Sequence, residues 1–382
     1  MFINWFEFEN YTTGQKIERI NFDRLNLLVG ESGAGKTQIL KILSAYIEAI
    51  IIKKNIPFAG HFQIEFTINT YKNTNNFKEK EIVNWEIETI DVYEKSTIVN
   101  LFQSRYIIRK EILTKNNSVI INRDYNNLTF KNKQIPVIPH ELSAFFVYSN
   151  TDELINIQPN IMRFISYNHQ MNSFRPMPKK QLDTIRDIYT KQIQNEKKLD
   201  SFDFSTNMPL AIIDFNINKK KDMYSLFITQ LQEIFPSIED LKIDCLEEEL
   251  YRLYIKQQNK WIPDYDISSG MMKTMYIISM VEYCKDAAVI LLDELENALG
   301  INCLNEVTDY ICDHAAENEI QFILTSHHPY IINNIPQNNW HIISQDNGII
   351  SSKRAVDIGI DNSFTKNEKF IKLINYMKRN QL

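Results

Sequence analysis

Little in this 382-residue sequence ties it to a membrane, an oxidising compartment or a polyanion. The longest apolar stretches, around 49–52 and 287–292, fall far short of the roughly 20 residues that span a bilayer. The start, Met1 to Asn10, lacks the basic residues and apolar run of a secretory signal and alternates as a strand does. Cys245, Cys284, Cys303 and Cys312 lie far apart with no CxxC pair, which argues against a disulfide framework or a cysteine-built zinc site. These absences set the expectation of a cytoplasmic chain with no membrane anchor of its own. A net charge of −6 gives no bulk pull toward nucleic acid, although the run Lys219 to Lys221 leaves a local basic patch open. The 44% hydrophobic and 24% charged fractions are those of an ordinary globular protein, long enough for one large domain or two.

The hydrophobic pattern predicts an α/β fold. Residues 2–9 and 24–29 read as strands, and the second runs into a glycine-rich turn and a helix from about 36 to 51. Short alternating runs at 62–69, 82–90, 106–113 and 118–122, separated by Asn- and Lys-rich turns, predict an antiparallel β subdomain. Residues 141–149 read as a buried strand. From Asp152 to about Tyr254 the pattern is that of a largely helical insertion. It has helices at 180–199 and 223–234, and strands at 241–244 and 250–255 that return to the core.

Beyond it come a helix at 272–283, an apolar strand at 288–292, a helix from about 302 to 314 and a second apolar strand at 322–325. A strand pair near 341–352 and a closing helix at 368–378 follow. Continuous apolar strands spaced by helices indicate a parallel sheet covered on both faces. The organisation expected is an N-terminal lobe over 1–150, a mainly helical insertion over 151–255 and a C-terminal lobe over 256–382.

Four constellations carry chemistry. Residues 30–37, Gly30-Glu31-Ser32-Gly33-Ala34-Gly35-Lys36-Thr37, fill the phosphate-loop pattern G-x-x-x-x-G-K-[ST] between a strand and a helix. There the backbone N–H groups face the phosphates of a nucleotide, Lys36 neutralises the β and γ oxygens, and the Thr37 hydroxyl reaches Mg²⁺, as in any P-loop kinase, GTPase or ATPase. The apolar run 288–292 delivers Asp293 and Glu294 at its C-terminal end, where α/β sheets place ligands. Asp293 is the candidate Mg²⁺ ligand and Glu294 the candidate general base. Ser268-Ser269-Gly270 precedes an amphipathic helix, a composition that serves either an N-cap or an anion site at the helix N-terminus. The strand at 322–325 ends at Ser326-His327-His328-Pro329.

Together these motifs resemble the ABC ATPases, in particular the RecF, SMC-like and overcoming-lysogenisation-defect group. The resemblance covers about residues 1–60, 140–155 and 255–345. It implies a P-loop ABC ATPase head: a mixed or parallel sheet flanked by helices, an antiparallel β subdomain and a helical insertion. It makes Ser268, Ser269 and Gly270 the signature motif that binds the γ-phosphate held by a second copy. It makes His327, rather than His328, the switch histidine, so that Lys36, Glu294 and His327 form the catalytic set. Residues 295–300 occupy the D-loop, with Gly300 where aspartate or histidine is more usual. Ser149-Asn150 is the best positional match to the Q-loop, and Tyr11 is either an adenine-stacking residue or a plain surface tyrosine. His61, His140, His169, His314 and His341 carry no such role.

The resemblance implies a homodimer or higher oligomer closed by an ATP sandwich. About fifty residues follow His327, without the acidic cluster of a TOPRIM nuclease or a His-Asn-His arrangement. The leading expectation is therefore the ATPase subunit of a bacterial antiphage defence or toxin-type complex, acting on a separately encoded effector such as a nuclease. The competing one is a RecF-like DNA repair clamp, with Lys179-Lys180, Lys197-Lys198 and Lys219 to Lys221 against nucleic acid. A membrane-transporter subunit fits poorly, because the insertion before the signature is too long.

Overall fold

The computed structural model describes residues 1–51, 56, 58–71, 78–92, 106–157, 161, 164–167, 177–194, 213–214, 217–218, 221–246, 250–283, 288–317, 320–361 and 363–379. The first strands are β1 (Phe2–Asn10), β2 (Lys16–Asn21), β3 (Leu25–Val29), β4 (Gly60–Tyr71), β5 (Lys78–Asp91), β6 (Tyr106–Lys115), β7 (Ser118–Arg123), β8 (Leu128–Phe130) and β9 (Lys133–Ile135). They are followed by β10 (Phe164–Tyr167), β11 (Met177–Pro178), β12 (Asp240–Leu246), β13 (Leu250–Gln257), β14 (Lys260–Pro263), β15 (Val289–Leu292), β16 (Gln321–Thr325), β17 (Trp340–Asp346) and β18 (Ile349–Arg354). The helices are α1 (Lys36–Ile51), α2 (Ala144–Val147), α3 (Lys179–Gln194), α4 (Lys221–Ile234), α5 (Ser269–Tyr283), α6 (Ile301–Glu317), α7 (Pro329–Asn334) and α8 (Lys366–Arg379).

Strands β3, β15 and β16 are buried at every residue, as a run with no polar face requires. Alternation sends their side chains to two cores. Leu27 and Val29, Ile290 and Leu292, and Phe322 and Leu324 pack with Met275 of α5 and Val307 of α6. Leu28, Val289, Leu291 and Ile323 pack on the other face with Ile39, Leu43 and Tyr46 of α1. Fourteen strands join in the order β10-β15-β16-β3-β17-β18-β2-β1-β4-β5-β6-β7-β8-β9. From β10 to β17 they run parallel, and from β2 through β1 and β4 onward they run antiparallel. The parallel core and the antiparallel subdomain are thus two halves of one sheet. No helix among the described residues is long and apolar enough to cross a membrane.

One polar residue interrupts β3. The buried Asn26 donates to the Phe322 carbonyl at 3.0 Å, and its Oδ1 lies 3.0 Å from Nε2 of His341. Burial pushes His341 down to about 3, so it stays neutral and serves as a structural partner.

One expectation is overturned. Residues 141–149 do not form a strand: Ala144–Val147 is the short helix α2, capped by the Ser143 side chain, which accepts from the Phe146 N–H. The buried carboxylate of Glu111 explains the change, because it accepts from the N–H groups of Ala144 at 2.7 Å and Phe145 at 3.3 Å and satisfies donors that a helix start leaves open. It also accepts from Ser143 Oγ and from Trp85 Nε1, and faces Arg123 at 3.8 Å. The strands expected to return to the core do reach it, but from outside the main sheet. In a second, four-stranded sheet, β13 pairs with β11, β12 and β14, and its buried Leu253 and Ile255 pack on the same core as α5. Within 151–255 helix alternates with strand, and β10 adds an edge strand beside β15.

Glu111 and Arg123 are both fully buried. Glu111→Ala leaves the guanidinium without its counter-charge and frees the first turn of α2, and should cost about 3–5 kcal/mol, read as a lower urea midpoint. An unchanged midpoint would remove Glu111 from its role as organiser of 138–147.

Candidate functional site

The functional side chains gather at the C-terminal ends of β3, β15 and β16. Beyond Val29 the chain leaves the sheet through Gly30, Glu31, Ser32, Gly33, Ala34 and Gly35 and enters α1 at Lys36. Gly35 has φ 97°, and a Cβ there would lie 2.4 Å from Ile350 Cδ1, so both conformation and space demand glycine. The loop, the ends of β15 and β16 and His327 border a cleft of about 570 Å³. Its walls include Ser32, Gly33, Gly35, Lys36, Thr37, Glu294, Thr325, Ser326 and His327.

Lys36 folds back over the loop, where its ammonium donates to the carbonyls of Gly30 at 2.8 Å and Glu31 at 2.9 Å. Burial pulls its proton affinity below the ordinary lysine value, and Asp293, Glu296, Glu294 and Glu31 oppose that pull. Thr37 Oγ1 donates to Asp293 Oδ1 at 3.1 Å, and Thr325 Oγ1 donates to the same oxygen at 2.7 Å. Thr325 Oγ1 in turn accepts from the Glu294 N–H at 2.7 Å. Among the described residues no group of three His, Cys, Asp or Glu side chains could hold a metal ion. The Thr37–Asp293 pair is a hard oxygen set of the kind Mg²⁺ accepts when water and phosphate complete the shell.

Glu294 has φ 46°, a left-handed conformation costly for a residue with a Cβ. Its N–H is held by Thr325, and its carbonyl accepts from Lys273 Nζ at 2.9 Å. The same ammonium donates to the carbonyls of Leu295 at 3.0 Å and Asn297 at 2.9 Å. Lys273 is buried, and desolvation pushes its proton affinity down to about 8 against the attraction of Glu296, Glu294 and Asp293. A lysine on α5 thereby clamps the turn that carries the candidate base.

Ser268, Ser269 and Gly270 stand at the N-terminal end of α5, apart from the walls of the cleft, with both serines exposed. Ser268 Oγ accepts from the Met271 N–H at 3.3 Å, an ordinary cap. A Cβ on Gly270 would come 2.7 Å from the Ala298 carbonyl, so the start of α5 and the 294–300 turn form one tightly packed surface. On that surface Gly300 is exposed and Ile301 is 77% exposed.

His327 borders the cleft, whereas the ring of His328 is spent as the cap of α7, accepting from the Tyr330 N–H at 3.2 Å. Tyr11 is half exposed and bonds Glu88 at 3.4 Å outside the cleft; Asn10, Gln38 and Phe58 line it instead. Ser149-Asn150 is not the end of a core strand. It follows a helical turn, and the strand at the sheet edge beside β15 is β10. Of the other histidines, His61 contacts Glu86, His140 stacks on Tyr125 and His314 bonds the Tyr310 carbonyl. His169 lies outside the described residues.

Sequence reasoning missed Thr325, Lys273 and Glu296. A threonine ending an apolar strand, a lysine inside a helix and a glutamate in a turn carry no pattern that separates them from structural residues.

A family model described as AAA ATPase domain matches residues 1–332. No curated protein matches the chain by sequence. Among solved structures, a crystal structure of the SmcHead bound to the C-winged helix domain of ScpA is 13% identical, with 92% of this chain and 97% of that one covered and a TM-score of 0.51. An Smc head domain with an extended coiled coil bound to the C-terminal domain of ScpA, derived from Pyrococcus furiosus, is 11% identical over 99% of both chains, with a TM-score of 0.44. An SMC head domain from Thermotoga maritima is 13% identical over 93% of this chain and 99% of that one, at 0.42. The first of these speaks for the fold alone.

Lys36→Ala should weaken ATP binding by about 10- to 100-fold, the worth of charge-assisted bonds to phosphate, as read by titration with a fluorescent ATP analogue. Lys273→Met should lower stability by about 1–3 kcal/mol, because three carbonyls of the 294–297 turn lose a shared donor. Thermal unfolding of the two proteins side by side measures it.

Proposed function

We propose that this chain, which belongs to the AAA ATPase domain family, hydrolyses ATP in the ABC manner, in two sites shared between two copies. The observation that carries the proposal is the convergence of Lys36, Thr37, Glu294 and His327 around one cleft, with Asp293 bonded to Thr37. In this reading the 30–37 loop wraps the phosphates, and Lys36 exchanges its bonds to Gly30 and Glu31 for the β and γ oxygens. Thr37 and Asp293 hold Mg²⁺, which supplies charge neutralisation at those oxygens. Glu294 orients and deprotonates the attacking water, and its backbone is already fixed by Thr325 and Lys273. His327 contacts the γ-phosphate.

The exposed serines at the start of α5 belong to the other copy's site in this reading. Ser268 and Ser269 are exposed at the positive end of the α5 dipole, with Gly270 packed behind them, so a γ-phosphate on a second chain is a suitable acceptor for their hydroxyls. ATP then joins the copies and hydrolysis releases them. For the biological role, a separately encoded effector such as a nuclease in a bacterial antiphage defence complex, working in the cytoplasm, remains the reading favoured. The Smc head of similar fold was crystallised bound to a domain of ScpA, and a partner protein on this head is proposed by analogy. A DNA repair clamp is the alternative; the exposed Lys179 and Lys180 on α3 favour it.

Glu294→Gln should keep ATP bound, accumulate dimers on size-exclusion chromatography with light scattering, and slow turnover by about 10²- to 10⁴-fold. Turnover at the normal rate in that variant would defeat the assignment. Stimulation of the wild-type ATPase by DNA would move the balance to the clamp.

A further inference from the structure

Glu296 lies in the turn between β15 and α6, and its side chain is only 10% exposed. A single oxygen, Oε1, accepts the backbone N–H of His327 at 2.9 Å and lies 2.8 Å from ring atom Nδ1. The other oxygen, Oε2, is buried without a hydrogen-bond partner among the described residues. The carboxylate is therefore held at a desolvation cost, with one oxygen committed to His327. The His327 ring is 68% exposed and borders the cleft, so no packing fixes it.

We propose that Glu296 is a positioning residue for His327, fixing the ring's tautomer and leaving Nε2 as the nitrogen presented to the nucleotide. An ionised carboxylate can only accept, so the ring nitrogen facing it carries a proton. Donation from Nε2 to a phosphate oxygen then needs a second proton, and Glu296 balances the resulting imidazolium at contact distance. Binding the backbone N–H through the same oxygen removes the freedom of the strand end to carry the ring elsewhere.

The inference rests on the ATPase reading above and adds a direction of control to it. Glu296 sits inside the turn whose carbonyls at 294, 295 and 297 Lys273 holds from α5. The start of α5, Lys273, the turn, Glu296 and His327 are therefore linked in series, by hydrogen bonds at Lys273 and at Glu296 and by backbone between them. A contact made on Ser269 or Gly270 by another molecule has a physical route to the histidine of the same copy.

The test combines kinetics with a measurement that needs no turnover. Steady-state ATP hydrolysis and ATP affinity are compared for wild type, Glu296→Ala, His327→Ala and the double variant, and Glu296→Gln serves as the variant that keeps an acceptor oxygen. Glu296→Ala should slow kcat by about 10- to 100-fold with little change in ATP affinity. In the His327→Ala background it should add less than about twofold, because the two residues act as a unit. Glu296→Gln should recover part of the rate.

Nitrogen-15 NMR of the histidine rings should place the His327 proton on Nδ1 in wild type and in Glu296→Gln, and on Nε2 in Glu296→Ala. Equal slowing in both backgrounds, or an Nε2 proton in wild type, would overturn the proposal. A wild type that hydrolyses no ATP under any condition would instead sink the ATPase reading, and the ring spectrum would still decide the role of Glu296.

Discussion

A single carboxylate oxygen, Asp293 Oδ1, accepts from Thr37 at the start of α1 and from Thr325 at the end of β16. These bonds bring the ends of three neighbouring parallel strands and the phosphate loop to one point. Each depends on register: Leu292 pairs with Leu324 across β15 and β16, so the residues that follow emerge side by side. A one-residue slip would turn Asp293 and Thr325 to opposite faces. The apolar strands behind them are buried on both faces, which is why the register is so strongly specified.

The costs at the site are carried by groups that sequence patterns do not mark. Glu294 adopts a left-handed backbone, burial lowers the proton affinity of Lys36 and Lys273, and Glu296 keeps one buried oxygen without a partner among the described residues. The strained backbone and the buried lysines are tolerable because neighbours answer them. Thr325 and Lys273 hold both ends of the Glu294 peptide, and nearby carboxylates counter the desolvation of the lysines. Strain concentrated where chemistry is expected is a common signature of preorganisation.

What was legible in the sequence follows the same division. The phosphate loop, β3, β15, β16, α1 and the alternating strands of the antiparallel half all announce themselves by period and composition, because their burial is set by local pattern. The 141–149 segment failed because its helical turn is imposed by Glu111, more than thirty residues earlier. Strands β12 and β13 were legible as strands that return to the core, but their pairing in a separate sheet was not, since alternation states which face is buried and not which neighbour buries it. Lys273 and Glu296 escaped for a related reason. Their meaning lies in atoms brought close by the fold, and a lone lysine or glutamate has no local signature.

The strand order also bears on how the molecule is made. Strand β3 and its phosphate loop are made some 300 residues before β16 and β17, their neighbours in the sheet. Non-local pairing of this kind is slow, since the loop entropy is spent before the contacts are gained. During synthesis an apolar strand with unsatisfied edges must wait beside the growing antiparallel half, which can pair hairpin by hairpin as it emerges. A chain interrupted before β16 therefore has the phosphate loop but lacks both strands that flank β3 in the sheet.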